Sequence, residues 1–193
     1  DAVPAALRED VAKGWWWRGD RFVARPYEYI GQIGPAGSAS STAADMARYM
    51  LMMLGDGTLD GVSIYGPKAA RAFRQPIQAT APGINGWAHG LMIYHLPGGL
   101  RGYGHDGATI SFHSSLVVIP DLDLGVFITT NGDTGRALSS RFADALVRQF
   151  YAPPVTFPRP GSRDLLQAAD AFTGRSRVDA HRMVNAALAE EFA

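Results

Sequence analysis

Apolar residues recur at helical spacing in some stretches of the chain and at strand spacing in others, and the order of the two periods predicts the architecture. In "SSTAADMARYMLMMLGDG", residues 40–57, Met46, Tyr49, Met50, Met53 and Leu54 form one stripe at intervals of one, three and four. That is the pattern of an amphipathic helix. Ser41 or Thr42 stands ready to cap it, Asp45 falls in its first turn and Gly55 stops it,. A shorter helix is predicted in "GPKAARAFRQP" between Pro67 and Pro76, and another, opened by proline, from Pro4 to Lys13,. The period then changes. "GWAHGLMIYHL" from Gly86, "SFHSSLVVIP" from Ser111 and "LGVFITTN" from Leu124 read as three β-rich runs, joined by "PGGLRGYG" and by the tight "PDLD" turn of Pro120 to Asp123,. Helical spacing returns in "GRALSSRFADALVRQFY", where Leu138, Phe142, Leu146 and Phe150 lie along one side. A hairpin series followed by an amphipathic helix predicts an α+β fold, an antiparallel sheet with helices packed on it.

Ahead of these elements, "WWWRGDRFVARPYEYI" has the aromatic, β-prone look of an extended excursion turning at Gly19,. Its tryptophans read as a satellite core rather than a ligand platform. Beyond Tyr151, "APPVTFPRPG" reads as a proline-rich linker, residues 152–163, and residues 164–193 as the start of a further segment cut short,. Residues 1–151 would then be one domain or a large part of one.

Charge and composition narrow the function. The 193 residues are 47% hydrophobic, and 18 Lys and Arg balance 18 Asp and Glu. No basic field exists to attract nucleic acid or anionic lipid. Cysteine is absent, which excludes disulfides and thiolate metal sites,. His89, His95, His105 and His113 fall close together, yet their spacing fits no common ligand motif, so no metal is expected,. The chain opens on "DAVPAALRED" without methionine or signal peptide, and so reads as an excerpt,. The longest apolar runs fall well short of the ~20 residues a membrane-spanning helix needs.

The ordered set "PAGSASSTAADMARYML", "GWAHGLMIY", "GHDGATISFHSSLVVIPDLDLGVFITTN" and a final amphipathic helix resembles the C-terminal half of the serine β-lactamase and penicillin-binding-protein superfamily. The similarity is greatest to the class C-related hydrolases and esterases. The resemblance implies a three-layer fold, incomplete in this chain. It also implies acyl-serine hydrolysis of an ester, amide or β-lactam without a cofactor, and a periplasmic or membrane-associated parent. In that family a serine in S-x-x-K attacks the acyl group, a tyrosine or serine motif assists, and a K-T-G or H-x-G motif lies on the facing strand. His105-Asp106-Gly107 matches H-x-G. By resemblance His105 would donate to substrate or to the catalytic tyrosine, Gly107 would give room, and the Ala108 amide would face the oxyanion. Asp106 departs from the usual residue. Its carboxylate would hold His105 protonated and repel an anionic substrate, which favours a neutral ester or amide. Asn131 and Arg136, between the last strand and helix, would reach the mouth of the site or serve only as turn and surface residues.

The remaining motifs are missing. Both lysines, Lys13 and Lys68, are preceded three positions earlier by Asp10 and Tyr65, so no S-x-x-K exists. Two positions before Asn85, Asn131 and Asn185 stand Gly83, Thr129 and Met183, so no Y-x-N exists. Two readings stay open: a C-terminal piece of a serine hydrolase whose nucleophile lies elsewhere, or a non-catalytic binding module of the same fold. By resemblance, the absent N-terminal strands would pair with Gly125 to Thr130. That edge is expected to be covered by self-association, by the missing half, or by residues 1–34.

Overall fold

A computed structural model describes residues 4–28, 30, 31, 34–78, 81 and 84–153. The expected linker beyond Pro153 and the segment 164–193 lie outside the described residues. In chain order the elements are β1 (Trp15–Trp17), β2 (Phe22–Ala24), α1 (Gly34–Gly37), α2 (Ala43–Leu54), β3 (Thr58–Leu59), β4 (Val62–Ser63), α3 (Pro67–Phe73), β5 (Gly86–Trp87), β6 (Met92–His95), β7 (Arg101–Ala108), β8 (His113–Ile119), β9 (Leu124–Thr130) and α4 (Arg136–Phe150). Strands β5 to β9 form one antiparallel sheet in sequential order, and β1–β2 and β3–β4 are separate hairpins. The class is α+β, as the two periods predicted.

The sheet has five strands where three runs were expected. "GWAHGLMIYHL" is itself a hairpin, with Gly86 paired to Ile93, and the glycine-rich joint contains β7. Gly98 and Gly99, at φ 77° and 75°, make the turn there, and the chain from Arg101 onward is extended. Glycine lowers strand propensity, which hid β7 from a reading of composition. The reason for glycine here is close approach. A Cβ at Gly104 would collide with the Leu116 carbonyl of β8, and one at Gly102 with the Val117 side chain.

Each sheet face carries one long helix. Helix α2 is capped by Thr42 Oγ1, which accepts from the Asp45 amide (3.1 Å). It buries Met50, Met52 and Met53 against Leu116 and Val118 of β8. Tyr49, expected in that stripe, is 46% exposed, and Met52 takes a buried place instead. On the other face α4 buries Ser139, Ala143 and Val147, the last two against Val117, Ile119 and Val126. Leu138 and Phe150 of the expected apolar line are 56% and 74% exposed. Small side chains let the helix come close to the sheet, so the buried line runs one residue to the side of the bulky one. The chain from Pro4 to Lys13 forms only a 3-10 turn, Ala5–Leu7, that buries nothing. Without packing, so short a helix does not recover its nucleation cost.

Among the described residues no strand pairs with the outer edge of β9. The β1–β2 hairpin meets the chain just beyond it: the Trp15 amide donates to the Asn131 carbonyl (2.8 Å) and the Asp133 amide to the Trp15 carbonyl (3.1 Å). No helix among the described residues is long and apolar enough to cross a membrane.

Candidate active site

The register of β7 sorts the H-x-G residues by face. His105 pairs with Leu116, and Asp106 with Ser115. Directly paired residues share a face. His105 therefore projects on the face of α2, and Asp106 on the face of α4. His105 is exposed, its Nδ1 lies against the Asp106 carbonyl oxygen (2.5 Å), and its ring stands 5.6 Å from that of Trp87 at 56°. With Nδ1 donating to that carbonyl, Nε2 is the nitrogen left for another partner, an acceptor in the neutral ring and a donor in the imidazolium.

The Asp106 carboxylate turns the other way and accepts from the Tyr94 hydroxyl (3.0 Å). Burial first, then the charge and hydrogen bond of Asp106, push the Tyr94 hydroxyl far above its ordinary pKa, with Ser115 offsetting in part. The expected role of Asp106 beside the histidine and the substrate does not follow from this geometry. Its carboxylate is committed to an internal tyrosine beneath the strand.

Backbone direction supplies the second feature of the site. In an antiparallel pair, residues alternate between bonding inward to the partner and pointing outward. The Thr109 amide donates to the Phe112 carbonyl (2.8 Å), so the next pair, Ala108 with His113, points its groups outward, as does Asp106 with Ser115. Strand β6 covers β7 only up to Gly104, opposite Met92. Among the described residues no strand covers the outward N–H and C=O of Ala108 or the outward N–H of Asp106 beside His105, and the Asp106 C=O accepts from the His105 ring. An exposed imidazole and an outward amide, unpaired among the described residues, are the parts needed to polarise a carbonyl.

Residues 2–149 match the family model for β-lactamase. The chain belongs to the β-lactamase family. It is 34% identical over 140 residues to penicillin-binding protein 4 of Amycolatopsis lactamdurans, covering 66% of this chain and 36% of that protein. The fold is similar to that of the octameric penicillin-binding protein homologue from Pyrococcus abyssi, with a TM-score of 0.54 and 23% identity over 72% of this chain and 31% of that one. The chain thus spans about a third of the length of these relatives.

In this β-lactamase-family chain the two outlying candidates are placed differently. Asn131 is occupied by the N-terminal hairpin: its Nδ2 donates to the Lys13 carbonyl (3.0 Å), besides the backbone bond to Trp15. Arg136 opens α4, where it is exposed. Neither is shown against His105. His113, opposite Ala108, is 6% exposed, and both ring nitrogens lack a hydrogen-bond partner among the described residues. It fills the sheet on the face away from His105.

Sequence reasoning missed the contacts that hold the turn after Ala108. The turn after Ala108 is gripped by the N-terminal hairpin: Arg25 Nη1 donates to Ser111 Oγ (3.3 Å), pairs with Glu28 (2.9 Å) and stacks on Trp16 (4.4 Å). Ser111 is 1% exposed, and Gly14 lies so close that a Cβ there would stand 2.8 Å from Ser111 Cβ. Trp87 was likewise missed. A separate cavity of about 670 Å³, lined by Tyr94, Ser115, Arg141 and Arg148 among others, lies between the sheet and α4, on the face away from His105.

Proposed function

We propose that this chain is the C-terminal portion of a serine hydrolase that cleaves an ester, amide or β-lactam through an acyl-serine, and that it supplies the H-x-G strand but not the nucleophile. The observation that carries this reading is the exposed His105 beside the open β7 edge at Ala108. His105 Nε2 meets the substrate carbonyl or the assisting hydroxyl, the Ala108 amide donates to the developing oxyanion, and Gly107, whose Cβ would meet only Ser114 Oγ at 2.9 Å, leaves the α2 face clear. Asp106 acts from beneath, holding the strand through Tyr94. Asn131 and Arg136 shape the adjoining turn. A balanced charge of 18 against 18 supports a small-molecule substrate rather than nucleic acid. Residues 1–151 form the hydrolase portion. The β9 edge, without a strand partner among the described residues, together with the octameric state named for the Pyrococcus homologue, supports self-association or pairing with an N-terminal half.

Two experiments test this. The chain alone leaves chromogenic β-lactams and short-chain esters intact and takes no label from a fluorescent penicillin; stoichiometric labelling of a serine in it overturns the reading. In the whole protein His105→Ala lowers turnover by roughly 10²-fold, the weight of one polarising or acid–base group, whereas His113→Ala acts on stability. Equal kinetic losses from both in folded protein remove His105 from the site. The competing reading, a non-catalytic module, predicts no acylation in the whole protein either.

A further inference from the structure

We infer that Trp87 is the wall of the acyl subsite and selects substrates carrying a flat, aromatic group next to the scissile carbonyl. This rests on the placement of His105 and Ala108 proposed above, and it names the substrate class. Three observations carry it. The Trp87 ring is 5.6 Å from the His105 ring and is 44% exposed, an arrangement in which a large apolar face is kept at the surface beside a polar one. Its backbone is fixed on both sides: Trp87 pairs with Met92 of β6, and on its outer side the Trp87 amide donates to the Gln78 carbonyl (2.8 Å) while the Ile77 amide donates to the Trp87 carbonyl (2.8 Å). A side chain so anchored offers a surface at small entropic cost. Its position is also specific. Met92 pairs with Gly104 and Gly104 with Val117, so the Trp87 side chain is rooted on the face of α4, and its ring meets the His105 ring across the strand end, where β6 stops covering β7. A group lying with its carbonyl at the Ala108 amide and passing His105 has the indole along its side.

The physical selection follows from the ring. An indole face favours offset or edge-on contact with another π system, beyond the gain from apolar area alone, and this contact is worth about three- to tenfold in binding. Aliphatic groups of the same polarity gain less.

The test uses benzamide and acetamide as stable neutral probes, titrated into the isotope-labelled chain while the His105 ring, the Trp87 indole and the Ala108 amide are followed by NMR. The expected result is that both probes shift Ala108 and His105, that benzamide binds about three- to tenfold more tightly, and that it alone shifts the Trp87 indole strongly. Trp87→Ala abolishes the preference, and Trp87→Phe, which keeps a ring, retains most of it. Equal affinities for the two probes, or a preference that survives Trp87→Ala, overturns the role of Trp87 while leaving the site in place. If neither probe shifts His105 or Ala108, the placement of the site itself is overturned.

Discussion

The two halves of β7 share one strand and one pairing partner yet do opposite work. From Arg101 to Gly104 the strand is held between β6 and β8, with Gly102 and Gly104 buried and no space for a side chain at either. From His105 to Ala108 no strand among the described residues lies on the outer side, and His105, Gly107 and Ala108 are exposed. Glycine in the first half answers a steric demand of the fold. In the second half the fold asks little of it, which is what a surface reserved for a ligand looks like. The difference comes from where β6 ends, not from any change in the residues of β7.

The comparison is most easily broken at Gly104. Gly104→Ala drives a Cβ into the Leu116 carbonyl, a clash with backbone that cannot be relieved by a rotamer change. The expected loss is about 3 kcal/mol or more, read as a fall in the urea midpoint or as failure to fold. A loss below about 1 kcal/mol would show that β7 and β8 are not so close. Gly102→Ala meets a Val117 side chain instead, which can give, so the loss is about 1–3 kcal/mol.

Tyr94→Phe, under the boundary between the halves, removes the hydroxyl from Asp106 and costs about 1–2 kcal/mol. It also changes the alkaline limb. Because the folded-state pKa of Tyr94 is raised by burial and by Asp106, the folded protein keeps this proton where the unfolded chain releases it. The corresponding stability is fully present below the ordinary tyrosine value near 10 and is lost as pH rises above it. Melting curves from pH 9 upward should fall less steeply for Tyr94→Phe than for the unmodified chain. Identical slopes would remove Tyr94 as a buried, Asp106-linked group.

The smallest effect on folding is expected at the open half. Gly107→Ala meets only Ser114 Oγ and should shift stability by no more than about 0.5 kcal/mol, measured in the same urea series. If it equals Gly104→Ala, the two halves are under the same steric constraint and the contrast fails.

The helix α2 was legible because its apolar stripe, its Thr42 cap and its Gly55 stop agree with one another at short range. Strands β8 and β9 were legible from their apolar runs and the "PDLD" turn. Strand β7 was legible only through the resemblance of its H-x-G motif, because the glycines that let it approach β8 are the residues that local propensity assigns to a loop. The H-x-G motif marked His105 and Ala108. It left unmarked Trp87 and Tyr94, which reach the motif from β5 and β6, and Arg25, which reaches the turn after it from the N-terminal hairpin.

Taken by itself, the sequence determined what depends on neighbours a few residues apart: the helical and extended periods, the caps and turns, the balanced charge, the lack of S-x-x-K, and the motif that names the site strand. Tertiary structure decided what depends on register and on where strands end. Pairing with Ser115 turned the Asp106 carboxylate toward Tyr94 and away from His105, because successive side chains on a strand face opposite ways. The point at which β6 stops opened the Ala108 amide to the surface, because a backbone group is free only where no neighbouring strand accepts it.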